Sequence, residues 1–151
     1  MSPIEKWGPS TWTFFHVLAE QINESEYIKL HQKILILLKR ICAYLPCPEC
    51  SKHATDFLLK ITPEQISNKE DFKGMLYTFH NLVNKRKHKF KFQFENISIY
   101  KNTNLKNSFV NFVNTYNTKG NMHTLSDTMH RKIVINEVQL FLSQNYMHFT
   151  Q

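Results

Sequence analysis

Apolar residues recur at helical spacing through most of this sequence, and that periodicity is what most restricts its fold. The clearest example is the segment 70–86, whose apolar side chains follow an i, i+3, i+4, i+7 pattern: Phe72, Met75, Leu76, Phe79 and Val83. Only 3 of the 151 residues are glycine and 5 are proline, too few for the frequent turns of a β-sandwich. The sequence therefore predicts an all-α protein.

Four helices with brief connections are predicted in the first part of the chain. They cover 9–22, 26–44, 47–61 and 70–86. Pro46 ends the second helix because the residue before a proline avoids the α region, and Pro48 suits the first turn of the third. Four such helices predict a bundle.

The chain changes character after the fourth helix. In KHKFKFQFE, Phe90, Phe92 and Phe94 alternate with charged and polar residues, which predicts an extended stretch with one face against the bundle. Two further amphipathic helices are predicted over 105–116 and 127–145, with Gly120 in the break between them. We therefore divide the chain into a bundle at 1–98 and a C-terminal helical extension at 99–151. The extension has no chemical motif, and it is expected to cover the bundle, recruit a partner or shape a dimer.

Composition excludes several classes of protein. The longest aliphatic run, 34–38, is far shorter than the ~20 residues that cross a bilayer, and the first ten residues lack the apolar core of a secretory signal. No membrane association is expected. The formal net charge is +7, but lysine is spread along most of the chain, so nucleic-acid binding is not expected as the main task. Three cysteines are too few for a disulfide-stapled miniprotein.

The stretch LPCPECSKH concentrates the reactive residues Cys47, Cys50 and His53. Together with Cys42 it has a C-x4-C-x2-C spacing, which suits an iron-sulfur cluster, and His53 would complete a Cys3His zinc site. A metal is disfavoured because there is no fourth cysteine and Cys42 belongs to the last turn of the second helix. Cys-x-x-Cys at a helix start instead suits a small redox-active disulfide, since backbone N–H groups there favour a thiolate. For Cys42, ordinary packing is preferred.

A thiol pair exchanges disulfides but cannot itself pass electrons to oxygen, so a net oxidant needs a redox cofactor. The sequence has no G-x-G-x-x-G fingerprint, and its predicted helices leave no room for a βαβ unit. A Rossmann-type flavin site is therefore excluded.

Three segments together resemble one family, the FAD-linked sulfhydryl oxidases of the Erv/ALR type. They are WGPSTWTFFH at 7–16, LPCPECSKH at 45–53 and FHNLVNKRKHK at 79–89, in the family's order and at about its spacing. The resemblance covers roughly 6–94. It implies a four-helix bundle that grips FAD at one end, with Cys50 as the sulfur near the flavin and Cys47 as the sulfur that faces incoming thiols.

The resemblance also implies a set of FAD contacts. The residues that match cofactor-binding positions of the family are Trp7, Gly8, Trp12, His16, Cys50, His53, Phe79, His80, Asn81, Val83, Asn84, Lys87 and Lys89. Cations near the end of this set would serve the diphosphate. Each residue also has a simpler interpretation: Trp12 and Val83 as core, His80 and Asn81 as helix surface, and 85–91 as a solvated charge run or a nucleic-acid patch.

The sequence departs from the family pattern at several positions. Family members commonly carry a tryptophan at the position of Met75, and a stapling cysteine pair where this chain has Tyr77 and Phe94. The segment around Phe94 is therefore expected to be held by apolar packing. Lys87 and His88 stand where an apolar residue and a glycine are usual, which leaves the diphosphate contacts open.

The activity implied by the resemblance is that of a thiol oxidase, which passes electrons from a dithiol through Cys47, Cys50 and FAD to O2 and releases H2O2. Many relatives hold a second cysteine pair that relays electrons, and Cys42 has no mate to form one. Cys47 is therefore expected to react directly with a separate dithiol protein, a redox relay protein or a small thiol.

Relatives often dimerise through the bundle helices, so a homodimer is expected. Compact versions without targeting sequences occur in large DNA viruses, which favours the cytoplasm of an infected cell or a virion as the location. The competing hypothesis is a zinc-binding helical module that docks nucleic acid or protein through the basic segment 85–91 and the extension.

Overall fold

The fold is seen in a computed structural model, which describes residues 4–117 and 125–149. Within these ranges the chain forms six α-helices, and no strand is present apart from an isolated antiparallel bridge between Ile22 and Phe149. The helices are α1 (Ile4–Gln21), α2 (Glu24–Ala43), α3 (Pro48–Leu59), α4 (Lys69–Arg86), α5 (Leu105–Tyr116) and α6 (Leu125–Asn145). Short 3-10 helices lie at Pro63–Ile66, Phe94–Lys101 and Tyr146–His148. The all-α prediction is confirmed.

Side-chain caps set several of the helix starts. Asn68 Oδ1 accepts a hydrogen bond from the backbone N–H of Asp71 at 2.8 Å, which starts α4, and Asn104 does the same for α5. The bounds of α5 are those predicted, and those of α4 differ by one residue. The predicted break residue Gly120 lies outside the described residues.

The predicted start of α1 at Pro9 is wrong, because the helix begins at Ile4 and contains Pro9. A proline in a helix removes one hydrogen bond to the carbonyl four residues earlier. Here that carbonyl belongs to Glu5, in the first turn of α1, so the helix loses a hydrogen bond only at its N-terminal end. No described helix is both long enough and apolar enough to cross a membrane.

The segment after α4 also differs from its prediction. Phe90 is 98% exposed and Phe94 is 53% exposed, whereas Phe92 is covered more fully by the bundle. The extended stretch ends at Gln93 and the chain continues as a 3-10 helix from Phe94. Since side chains alternate between two faces only while the backbone is extended, Phe94 does not continue the row of Phe90 and Phe92. Phe94 rests edge-on against Tyr77 with ring centroids 5.5 Å apart.

The C-terminal helices share one hydrophobic core with the bundle. Phe14 of α1 is fully buried and stacks on Phe112 of α5, with centroids 5.0 Å apart. On the other side α6 packs against α2, where Arg40 donates two hydrogen bonds to Glu137 at 2.5 and 2.7 Å. The described part of the extension is thus packed on the bundle along both α1 and α2.

Candidate active site

Cys47 and Cys50 form a disulfide at the start of α3. Cys47 is the N-cap residue, and its Sγ accepts a hydrogen bond from the Cys50 N–H at 3.2 Å. Pro48 occupies the first helical position, where a missing N–H is harmless. The backbone N–H of Leu45 donates to Ser51 Oγ at 2.7 Å, which ties the preceding turn to α3. Both sulfurs therefore lie at the positive end of a helix dipole, where a thiolate is stabilised.

A cavity of about 340 Å³ opens beside this disulfide, between the start of α1, the end of α4 and the segment that follows α4. Its size is that of a typical ligand site. Ten of the thirteen residues predicted to bind a cofactor line it: Trp7, Gly8, Trp12, Cys50, Phe79, His80, Val83, Asn84, Lys87 and Lys89. No acidic side chain of the described residues lines it. The cavity is therefore apolar, with cations at its rim.

The three cysteines have different environments. Cys50 is 7% exposed and lines the cavity, whereas Cys47 is partly exposed and lines no described cavity. Cys42 also lines the cavity, but burial raises the pKa of its thiol to about 12. At neutral pH Cys42 stays protonated, so it is a poor nucleophile.

Three predicted residues do not line this cavity. His16 lies behind it, with Nε2 3.0 Å from Nδ1 of His80. Asn81 instead holds the backbone of Phe92: its Oδ1 accepts from the Phe92 N–H at 2.7 Å, and its Nδ2 donates to the Phe92 carbonyl at 3.2 Å. His53 lines a neighbouring cavity with Cys50, and its Nε2 is 3.7 Å from a carboxylate oxygen of Glu49.

An aromatic cluster forms part of the wall of the cavity. His80 stacks on Trp12 with centroids 4.2 Å apart and on Phe92 at 4.6 Å. His16 stacks on Phe92 and on Tyr100, each at 5.0 Å. Sequence reasoning did not assign Phe92 or Tyr100 to the site. The alternation of apolar and polar residues around Phe92 indicates that this ring faces the bundle. Tyr100 lies in a 3-10 helix that no local sequence pattern predicts.

The two histidines are held neutral. Burial, helped by the nearby ring of His80, lowers the pKa of His16 to about 3. Burial and the ammonium group of Lys89 lower the pKa of His80 to about 4. Near neutral pH the contact between the two rings is therefore an N–H···N hydrogen bond between neutral groups.

The end of α4 delivers the cations. Arg86, Lys87 and Lys89 all line the cavity. His88 has φ of 57°, in the left-handed region that favours glycine, and its position is the one where the resembling family usually has glycine. This turn reverses the chain so that the Lys89 N–H donates to the Asn84 carbonyl at 2.8 Å.

The zinc alternative finds no support in the structure. Across 4–117 and 125–149, no group of three or more His, Cys, Asp or Glu side chains is placed to hold a metal ion. His53 faces Glu49 and does not complete a site with the cysteines.

Comparison with known proteins agrees with these observations. The model of the Erv1/Alr family matches residues 9–109. An FAD-linked sulfhydryl oxidase of African swine fever virus is 34% identical over 83 residues, which cover 55% of this chain and 69% of the viral protein. An FAD-linked sulfhydryl oxidase of Arabidopsis thaliana is 32% identical over 93 residues, 62% of this chain and 48% of the plant protein. A vaccinia virus protein, named a probable FAD-linked sulfhydryl oxidase, is 29% identical over 84 residues, 56% of this chain and 81% of its own length. No solved structure matches the chain.

Proposed function

The chain belongs to the Erv1/Alr family, and from this premise we propose that it is an FAD-linked thiol oxidase whose Cys47–Cys50 disulfide takes electrons from thiols. One observation carries the proposal. Cys50 lines a cavity with an aromatic wall and a cationic rim, while its disulfide partner Cys47 remains partly open to solvent. A disulfide in this position has one sulfur for the cofactor side and one for the substrate side.

The cavity suits FAD in its shape and its charge. The flat indole of Trp12 lines the cavity and offers a stacking surface for a tricyclic ring, while His80 supports its other face. Lys87 and Lys89 would hold the diphosphate by charge-assisted hydrogen bonds. A Cβ built at Gly8 would meet only Ile4 Cγ1, at 3.8 Å, so the backbone there is open to close approach by a ligand.

The cysteines carry out thiol–disulfide exchange. A substrate thiolate attacks Cys47 Sγ and forms a new S–S bond, while the Cys47–Cys50 bond breaks and its electron pair leaves on Cys50 Sγ. The substrate's second thiol loses its proton and attacks the substrate sulfur of this mixed disulfide, which releases Cys47 as a thiolate. The substrate has then lost two electrons and two protons, and the two protein thiolates take up two protons to give a dithiol.

When bound, FAD supplies the two-electron acceptor that returns the dithiol to the disulfide and delivers the electrons to O2, giving H2O2. The sulfur of Cys50, which faces the cavity in this proposal, is shielded from water because Cys50 is only 7% exposed. Backbone N–H groups at the start of α3 stabilise the thiolate that each exchange step produces.

The electron donor in this proposal is a separate dithiol protein, a redox relay protein or a small thiol. The sequence has three cysteines, and Cys42 is buried with a raised pKa. A relay pair within this chain is therefore not part of the mechanism. We also propose a homodimer, which light scattering of the purified protein would test; a monomeric mass would contradict it.

The test of this function compares Cys50→Ser with Cys47→Ser. Both variants should lose oxygen uptake driven by dithiothreitol but keep the yellow colour of bound FAD, because neither removes a wall of the cavity. The free Cys47 of the first variant should react with a chromogenic aryl disulfide much faster than the free Cys50 of the second, because Cys47 is more exposed.

Three results would contradict the proposal. If the wild-type protein is colourless and does not bind added FAD, the proposed cofactor is wrong. If Cys50→Ser keeps its oxygen uptake, the role assigned to the Cys50 sulfur is wrong. If the two single-cysteine variants react with the aryl disulfide at equal rates, the proposal that Cys47 faces the substrate and Cys50 faces the cofactor is wrong.

A further inference from the structure

The C-terminal helices contact the end of α2, from which the chain enters the redox-active turn. Tyr116, the last residue of α5, donates its hydroxyl hydrogen to the carbonyl of Ile41 at 2.9 Å. Arg131 of α6 donates from Nη1 to the carbonyl of Tyr44 at 3.2 Å. Tyr116 is fully buried and Arg131 is 3% exposed. The second of these contacts is three residues before Cys47.

Both hydrogen bonds are made to carbonyls at the C-terminal end of α2. The last carbonyls of an α-helix lack the usual partner four residues further on, and a cation near them is stabilised by the helix dipole. The Ile41 carbonyl also accepts from the Tyr44 N–H at 3.2 Å, so Tyr116 adds a second hydrogen bond to it. Tyr44 has left the helical conformation, with φ −129° and ψ 37°. Its carbonyl is held by Arg131 and its ring stacks on His130 at 4.7 Å. The guanidinium is itself held, because Nη2 donates to Thr128 Oγ1 at 3.2 Å.

The other end of the turn is held from within α3. Ser51 Oγ accepts from the N–H of Leu45 at 2.7 Å and also lies within hydrogen-bond distance of the Leu45 carbonyl, at 3.4 Å. The turn that carries Cys47 is therefore anchored on both sides: by Ser51 within the redox helix, and by α5 and α6 at the end of α2.

We propose that Tyr116 and Arg131 are positioning residues for the Cys47–Cys50 pair: by fixing the end of α2 they keep the two sulfurs adjacent, which favours the disulfide over the dithiol. The proposal rests on the redox function proposed above. Both residues lie beyond 9–109, the part that matches the family model. They therefore belong to the C-terminal extension and not to the part shared with the family model.

The test measures the dithiol–disulfide equilibrium of FAD-loaded protein under argon. The disulfide and reduced dithiothreitol exchange two electrons and two protons to give the protein dithiol and oxidised dithiothreitol, and alkylation traps the fraction reduced. Tyr116→Phe removes only a hydroxyl group, and Arg131→Lys keeps the positive charge but loses the fork of donors. Each should move the equilibrium toward the dithiol by at most about fivefold, the factor for one net hydrogen bond, because only the part of the bond that is lost on reduction shifts the equilibrium.

Glu137→Gln is the matched control. It weakens the contact with Arg40, another tie between α6 and α2, but it leaves Ile41 and Tyr44 with their partners. This variant should lower the midpoint of thermal unfolding without changing the dithiol–disulfide equilibrium.

Two outcomes would overturn the proposal. If Tyr116→Phe lowers the thermal midpoint but leaves the equilibrium at the wild-type value, the contact is only structural. If Glu137→Gln shifts the equilibrium as far as the other two variants, the effect belongs to packing of α6 in general. Failure of the proposed oxidase function would be seen separately, as absent FAD or absent oxygen uptake in the wild-type protein.

Discussion

Lowering the pH from 7.5 to 5 should destabilise this protein through two histidines that the fold keeps neutral. The pKa of His16 is about 3 and that of His80 about 4 in the folded protein, against 6.5 for an ordinary histidine. Below pH 6.5 these two histidines therefore bind protons in the unfolded chain but not in the folded chain. Their effect on the free energy of unfolding is absent above pH 6.5, and they lower that free energy as the pH falls toward 4 and then 3.

The size of the effect follows from the same values. At pH 5, each histidine removes at most about 2 kcal/mol from the free energy of unfolding, because one pH unit corresponds to about 1.4 kcal/mol. The two together remove at most about 4 kcal/mol, out of the roughly 5–15 kcal/mol that stabilises a typical domain. The true loss is smaller, because His80 is only partly buried.

The assay is urea unfolding of the protein in excess FAD, followed by circular dichroism at pH 7.5 and pH 5. His16→Phe keeps a ring against Phe92 and Tyr100 but cannot be protonated. Its difference in unfolding free energy between the two pH values should be smaller than that of the wild type, by at most about 2 kcal/mol. His31→Gln, at a half-buried position of α2 that makes no contact with the His16–His80 pair in the described structure, is the control and should not reproduce this reduction. The reasoning fails if wild type and His16→Phe lose the same stability.

Three further substitutions test other parts of the structure. Asn81→Ala removes two hydrogen bonds to the backbone of Phe92; it should cost about 1–3 kcal/mol of stability and weaken FAD binding, measured by urea unfolding and fluorescence titration. Unchanged FAD affinity would contradict the role of this segment as a cavity wall. Phe14→Ala should lose about 3–5 kcal/mol, since its fully buried ring joins α1 to Phe112 of α5; a loss below 1 kcal/mol would mean that the extension adds little to the core. Cys42→Ala should leave oxygen uptake per bound FAD unchanged, because the buried thiol stays protonated; a large loss of activity would assign it a chemical role.

Local chemistry explains how much of the fold was predictable. The redox turn follows from Cys47 and Pro48, because a proline at the first helical position and a capping side chain define a helix start without help from the rest of the protein. The bounds of α4 and α5 follow from apolar periodicity and from asparagine caps. The start of α1 did not follow, because Pro9 is a start signal in most contexts and is tolerated here one turn inside the helix.

The sequence by itself thus determined most of the helix bounds and the redox turn, because each rests on spacing within a few turns of one helix. The resemblance to a known family added ten of the residues that line the cavity. Only the tertiary structure decided which faces meet. His16 contacts His80 across 64 positions of sequence, and Arg131 reaches Tyr44 across 87. The α6 helix has apolar residues on its exposed side as well as its buried side, Ile133 beside Val134, so its pattern did not reveal which face is buried. Contacts of this kind depend on how helices pack against each other, and a local pattern carries no record of its distant partner.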